Sequence, residues 1–322
     1  MLSHIGLFLL CIGGVWFTAG AIVDLVDSIA KKLNKNGFFV AFFVLAFVTS
    51  LGEFSVALNS LASGTPAISV GNTIGASFAL LILVVPLLAV IGNGIKMDKF
   101  FDRWRLALVL AIVAVPSLLV LFGTINWISG VVALGAYVML LFMLKIKKEK
   151  KVNSAVKVPL SQFLYSAHFW IDIAKILVLS GIIFVAGNVL VKEASFFAHH
   201  FNAPEYLIGI LLLSFGTNVP EIAVAVRSVL KKRAEVALGN YLGSATFNTL
   251  TFAIVALFSA PFVVGQSVFL VSFLFVVLGF VLLYFFIRSK DILSRSEGYI
   301  LLGIYFAFIV IQILLLIRFA NQ

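Results

Sequence analysis

The chain carries one passage twice. Thr49-Ser50-Leu51-Gly52-Glu53 returns as Thr217-Asn218-Val219-Pro220-Glu221, 168 positions later. Without a gap, the same offset pairs Phe47 with Phe215, Val56 with Val224, Ala57 with Ala225, Ser60 with Ser228, Gly71-Asn72 with Gly239-Asn240 and Gly75 with Gly243. Gly13 and the run Val15-Trp16-Phe17 meet Gly181 and Ile183-Phe184-Val185 at that offset too. An internal repeat on this scale constrains the fold before any composition is considered, because each half must build the same unit.

That unit is made for a bilayer. Hydrophobic residues are 62% of the chain and charged ones 11%, against about a quarter charged in soluble domains. Spans of about 20 residues fit ten times: 7–28, 37–61, 67–91, 104–122, 125–144, 171–191, 206–230, 236–258, 262–287 and 299–319. The first lacks a basic leader region and a small-residue cleavage site, so it is read as retained. Five spans per half is an odd number, so the second copy enters the membrane upside down relative to the first. The expectation is an all-α membrane protein of ten transmembrane helices in two inverted five-helix repeats. Residues 1–145 and 161–322 form the repeats, and 146–160 form a basic cytoplasmic linker.

A net charge of +10 and a pI near 9.7 would suit nucleic acid, but position decides against it. Of the 23 lysines and arginines, 20 fall in alternate loops: around Lys31, around Lys99, in the run from Lys145 to Lys157, around Lys232 and around Lys290. Basic residues mark cytoplasmic loops, which puts both termini outside. The linker run is read as solvated, with attraction to anionic lipid as the alternative.

Glu53 and Glu221 sit in the middle of apolar segments, where a carboxylate costs roughly 2.5 to 3.5 kcal/mol on insertion scales. Gly52 precedes the first and Pro220 the second, and both residues weaken a helix. Helices two and seven are therefore expected to be broken at the acids, with helix-end carbonyls exposed there. The hydroxyls of Thr49, Ser50 and Thr217 and the amide of Asn218 add neutral oxygens. An all-oxygen set of this kind suits Ca²⁺ better than zinc or copper. An inverted repeat would bring the two glutamates face to face near the midplane.

The other polar residues read as structural. Asp24 and Asp27 lie at a span end, Asp172 and Lys175 can pair at i, i+3, and Cys11 packs. His199-His200 is read as part of an outer aromatic loop from Lys192 to Glu205, with metal binding or pH sensing as the alternative. His4 and His168 are read as single residues with no partner.

Each acid is followed one span later by Gly71-Asn72-Thr73-Ile74-Gly75-Ala76-Ser77 or by Gly239-Asn240-Tyr241-Leu242-Gly243-Ser244-Ala245-Thr246-Phe247-Asn248. Small residues allow close helix approach, and Ser244 and Asn248 share a helix face. Together the four stretches resemble the two alpha-repeats of the cation/calcium exchanger superfamily, over both halves of the chain and most closely from Gly216 to Asn248. The resemblance implies that Glu53 and Glu221 hold calcium, helped by the carbonyls of Thr49 and Thr217. It implies sodium ligands at the Ala46 carbonyl, Thr217, Asn218 and Ser244, and at the Ser214 carbonyl, Thr49 and Ser50. It also implies a compact prokaryotic exchanger of the plasma membrane with no cofactor, whose partners are inorganic cations and lipid, acting as a monomer or weak oligomer.

The chain departs from that pattern at Gly52, where proline is usual, at Ala76, where a serine is, and at Leu80, opposite Asn248. Ser77 is one residue off, about 100° around the helix, and is read as a poor substitute. With fewer neutral oxygens, and with two facing carboxylates that repel so that one takes a proton when no cation is bound, three or four sodium ions are not expected. The function expected is a Ca²⁺ or related divalent antiporter driven by Na⁺ or H⁺. The alternatives are a cation channel, a cation-binding protein and, with no HExxH motif to support it, an intramembrane hydrolase.

Overall fold

The computed structural model describes residues 1–33, 42, 46–96, 103–144, 167–218, 221–222, 234–290 and 292–321. The helices are α1 (Leu2–Leu33), α2 (Ala46–Thr49), α3 (Leu51–Ala62), α4 (Pro66–Ile91), α5 (Arg103–Leu121), α6 (Trp127–Met143), α7 (Ala167–His200), α8 (Glu205–Thr217), α9 (Ala234–Phe258), α10 (Gln266–Lys290) and α11 (Arg295–Ala320). Seven are long and apolar enough to cross a membrane among the described residues, and α6 and α8 are shorter apolar helices. The linker and much of the second and seventh expected spans lie outside the described residues.

Local structure repeats along with the sequence. α6 starts with a capping box, in which Asn126 accepts from Ile128 N at 2.9 Å and Ser129 answers from the third position. At the corresponding place, α11 starts with the box of Ser294 and Glu297. Each box satisfies amides that the first turn of a helix leaves free. Four two-residue strands pair antiparallel, β1 (Ile95–Lys96) with β4 (Ile292–Leu293) and β2 (Thr124–Ile125) with β3 (Phe262–Val263). The 168-residue offset takes one pair onto the other with the register displaced by one residue.

Prolines within helices free carbonyls that apolar surroundings cannot satisfy. Pro116 in α5 cannot donate to Ile112, and Thr249 of α9 takes that carbonyl at 3.1 Å. Pro86 leaves Ile82 of α4 without its usual amide, and there the helix widens into a π turn over Leu80–Val84.

The halves interlock through small residues. A Cβ on Gly71 would collide with the Tyr206 carbonyl, and one on Gly243 with the Phe42 carbonyl. So α4 packs on α8, and α9 on Phe42 and α2, at separations only glycine permits. α7 packs on α3 through a polar ladder. Ser55 donates to the Ile183 carbonyl at 3.1 Å, and Asn59 donates to Phe184 O at 3.2 Å while accepting from Asn188 at 3.0 Å. The largest apolar core holds Phe78, Phe280, Tyr305 and Phe308 between α4, α10 and α11.

Residues 192–200 are the last turns of α7 rather than a loop, because Glu193, Ala194, Phe197 and Ala198 bury one helical face. His4 has partners: Nδ1 is 2.8 Å from Glu193 Oε2, and the ring stacks 3.6 Å from that of Phe196. Asp172 and Lys175 make no ion pair among the described residues. Lys175 lines a groove with Asp24 between α1 and α7.

A candidate cation site at two helix breaks

The α2–α3 break falls at Ser50 (φ −81°, ψ 8°). Ser50 N donates to Ala46 O at 3.0 Å, and the ladder resumes with Phe54 N to Ser50 O at 3.0 Å. The break thus lies before Gly52, which sits in the first turn of α3, where no amide has a helical partner anyway. A Cβ on Gly52 would make ordinary contacts, 3.5 Å from Val15 and 3.8 Å from Thr217.

The second break is built alike. Asn218, at the position matching Ser50, has φ −88° and ψ 0°, and Ile222 N donates to its carbonyl at 3.1 Å. Val219 and Pro220 lie outside the described residues. A π turn, Gly209–Leu213, comes just before this break, and Phe42, which matches Ile210, has the same π geometry. Single π turns are rare and concentrate at functional sites.

All ten residues expected at the site (Ala46, Thr49, Ser50, Glu53, Ser214, Thr217, Asn218, Glu221, Ser244 and Asn248) are 2% exposed or less. Glu53 and Glu221 are close enough to interact electrostatically, with Thr217 beside the first and Thr49 beside the second. Each acid therefore lies against the hydroxyl of the other half.

The hydroxyls are held by hydrogen bonds across the halves. Thr49 Oγ1 is 3.3 Å from Asn240 Oδ1 and 3.0 Å from Ser244 Oγ. Ser244 Oγ donates to the Ala46 carbonyl at 3.3 Å. In mirror fashion Thr217 Oγ1 donates to Asn72 Oδ1 at 3.3 Å. The mirror then fails, because Ala76 has no hydroxyl to answer Ser244 and the Ser214 carbonyl accepts from Asn218 Nδ2 instead. Asn248 makes no hydrogen bond to these hydroxyls among the described residues and donates to Ser77 Oγ at 3.2 Å.

Three polar partners were not assigned from sequence: Asn72, Asn240 and Tyr241, whose OH donates to the Glu221 carbonyl at 2.9 Å. The Gly-Asn pairs stood at matching positions in both copies, and that repetition was the available signal. Tyr241 replaces Thr73 and breaks the repeat, so nothing in the pattern marked it.

The buried atoms without a partner tell what this centre can do. They include both oxygens of Glu53, both of Glu221, Ser50 Oγ, Asn218 Oδ1 and Asn248 Oδ1. Two of the side chains are carboxylates, the unpartnered nitrogens, Asn72 Nδ2 and Asn240 Nδ2, carry protons and cannot ligate a cation, and no cluster of three or more His, Cys, Asp or Glu side chains occurs among the described residues. Such a set fits a hard cation. A cavity of about 130 Å³ lined by Phe47, Tyr137 and Thr246 reaches Ala46 from one side. Phe215 and Tyr305, the matching residues of the other half, line an apolar cavity of about 250 Å³.

Residues 3–145 and 172–314 match the family of the sodium/calcium exchanger protein. CaxA of Alkalimonas amylolytica is 26% identical over 270 residues, covering 82% of this chain and 81% of that protein. The sodium/calcium exchanger MaX1 of Methanosarcina acetivorans is 30% identical over 141 residues, 44% of this chain and 40% of that one. A structure of the sodium–calcium exchanger NCX_Mj soaked with Na⁺ and Sr²⁺ superposes with a TM-score of 0.66 at 25% identity, covering 96% of this chain and 98% of that one.

Proposed function

The chain belongs to the sodium/calcium exchanger protein family, and on that premise we propose a secondary active antiporter that exchanges Ca²⁺, or a related divalent cation, for Na⁺ or H⁺. One observation carries the reading. The carboxylates of Glu53 and Glu221 are 1% and 0% exposed, they lie near each other, and none of their four oxygens has a partner among the described residues. Two buried, unpaired carboxylates cost several kcal/mol each as ions, so a cation between them turns the largest penalty in the membrane into a binding site.

In this reading Glu53 and Glu221 hold the divalent ion with the carbonyls of Thr49 and Thr217. The Ala46 carbonyl, Thr217, Asn218 and Ser244, and the Ser214 carbonyl, Thr49 and Ser50, hold coupling ions. Ala76 and Leu80 remove oxygens from the first half, which favours fewer sodium ions than the full pattern would bind, or protons on the carboxylates. Ten spans form two inverted repeats with both termini outside, in the plasma membrane of a prokaryote. The interlocked breaks give such repeats a shared centre, around which one bundle rocks to open the site to either side in turn.

The test is radioactive calcium uptake into proteoliposomes under an outward sodium gradient or a pH gradient imposed separately. One gradient should drive uptake, and Glu53→Gln and Glu221→Gln should each abolish it. Calcium flux that needs no counter-ion would favour a channel.

A further inference from the structure

We infer that Ser77 is a positioning residue that decides which side of the Asn248 amide the cation site receives; the inference rests on the antiporter reading above. The two halves carry the same two small residues in opposite order, Ala76-Ser77 in α4 and Ser244-Ala245 in α9. In α9 the hydroxyl joins Thr49 and the Ala46 carbonyl. In α4 it sits one residue on, about 100° around the helix, and meets α9 instead.

There its bonding is over-determined. Ser77 Oγ lies 2.9 Å from Thr73 O, 3.5 Å from Ala245 O and 3.2 Å from Asn248 Nδ2. A hydroxyl has one proton and two lone pairs. Both carbonyls can only accept, and the nearer one, a turn back on the same helix, is the usual target of a serine in a helix. Whichever carbonyl takes the proton, the hydroxyl shows Asn248 only lone pairs. Asn248 must therefore turn its NH₂ toward Ser77 and its Oδ1 away.

That Oδ1 has no partner among the described residues, and Asn248 is 1% exposed. Leu80, its counterpart, is 0% exposed and brings no oxygen. Ser77 thus compensates in part for the oxygens lost at Ala76 and Leu80. It makes no bond to the ion and keeps the one amide oxygen of this pair of positions available to it.

The test is a double-mutant cycle on calcium exchange in proteoliposomes, reading the half-saturating calcium concentration and the maximal rate. Ser77→Ala frees the amide to turn, and half-saturation should rise about ten-fold with the maximal rate within two-fold. Ser77→Thr keeps the hydroxyl and should restore wild-type affinity. Asn248→Asp has an oxygen on both sides, so adding Ser77→Ala to it should change half-saturation less than two-fold. An equal loss in both backgrounds, or no loss in either, with wild-type exchange intact, overturns the positioning role alone. A wild type that exchanges no calcium overturns the antiporter reading and this inference with it.

Discussion

Thr49 and Thr217 stand 168 positions apart, and each donates its hydroxyl to an asparagine of the opposite half, Asn240 and Asn72, at the same distance of 3.3 Å. The two bonds lie beside Glu221 and Glu53 and tie the hydrogen-bonding of each break to the helix that follows the other.

Leaving a buried acceptor unsatisfied costs about 1–3 kcal/mol, which is roughly five- to 150-fold in a binding constant. Thr49→Val should weaken calcium affinity more than Thr217→Val, because Thr49 also meets Ser244 and Ala46. Calcium half-saturation of the two variants checks the order, and Thr→Ser at either position should stay close to wild type.

The interlock of the halves predicts a stability pattern. Gly243→Ala drives a methyl against the Phe42 carbonyl and Gly71→Ala against that of Tyr206, and a backbone cannot step aside as a side chain can. Each should destabilise by about 1–3 kcal/mol or more. Gly135→Ala has nothing within 4 Å and should be neutral or gain up to about 1 kcal/mol from helix propensity. Thermal unfolding in detergent separates them.

The ladder between α3 and α7 can be tested in the same assay. Asn59→Leu removes the acceptor of Asn188 and the donor to Phe184. The unfolding midpoint should fall, by an amount corresponding to about 1–3 kcal/mol for the buried groups left unpaired, whereas Asn188→Ala, which vacates one bond at the edge of the ladder, should cost less.

Ion selectivity follows from the donor atoms. The atoms at the centre that can ligate a cation are oxygens, so Sr²⁺ should compete with Ca²⁺ for uptake, and Zn²⁺ and Cu²⁺, which favour nitrogen and sulfur, should compete far less. Inhibition of isotope uptake by each metal at equal concentration gives the ranking.

Much of this was legible beforehand for a physical reason. A bilayer restricts spanning segments to helices, so apolar length alone located most of the elements, and the repeat at Glu53 and Glu221 located the breaks to within a few residues. The breaks themselves fall at Ser50 and Asn218, because first-turn amides need no helical partner and Gly52 could stay helical. Other features depended on partners far away in sequence. The bond from His4 to Glu193, the rescue of the Ile112 carbonyl by Thr249, and the meeting of Ser77 with Asn248 are set by which helices lie side by side, and periodicity carries no record of that.

Equilibrium binding of radioactive calcium to the purified protein shows whether one divalent ion is shared by a carboxylate from each half. One calcium per chain is expected, with Glu53→Gln and Glu221→Gln each reducing affinity at least 100-fold, on the order of 3 kcal/mol. Wild-type affinity retained in either variant, or two independent calcium ions per chain with one lost in each, would contradict it.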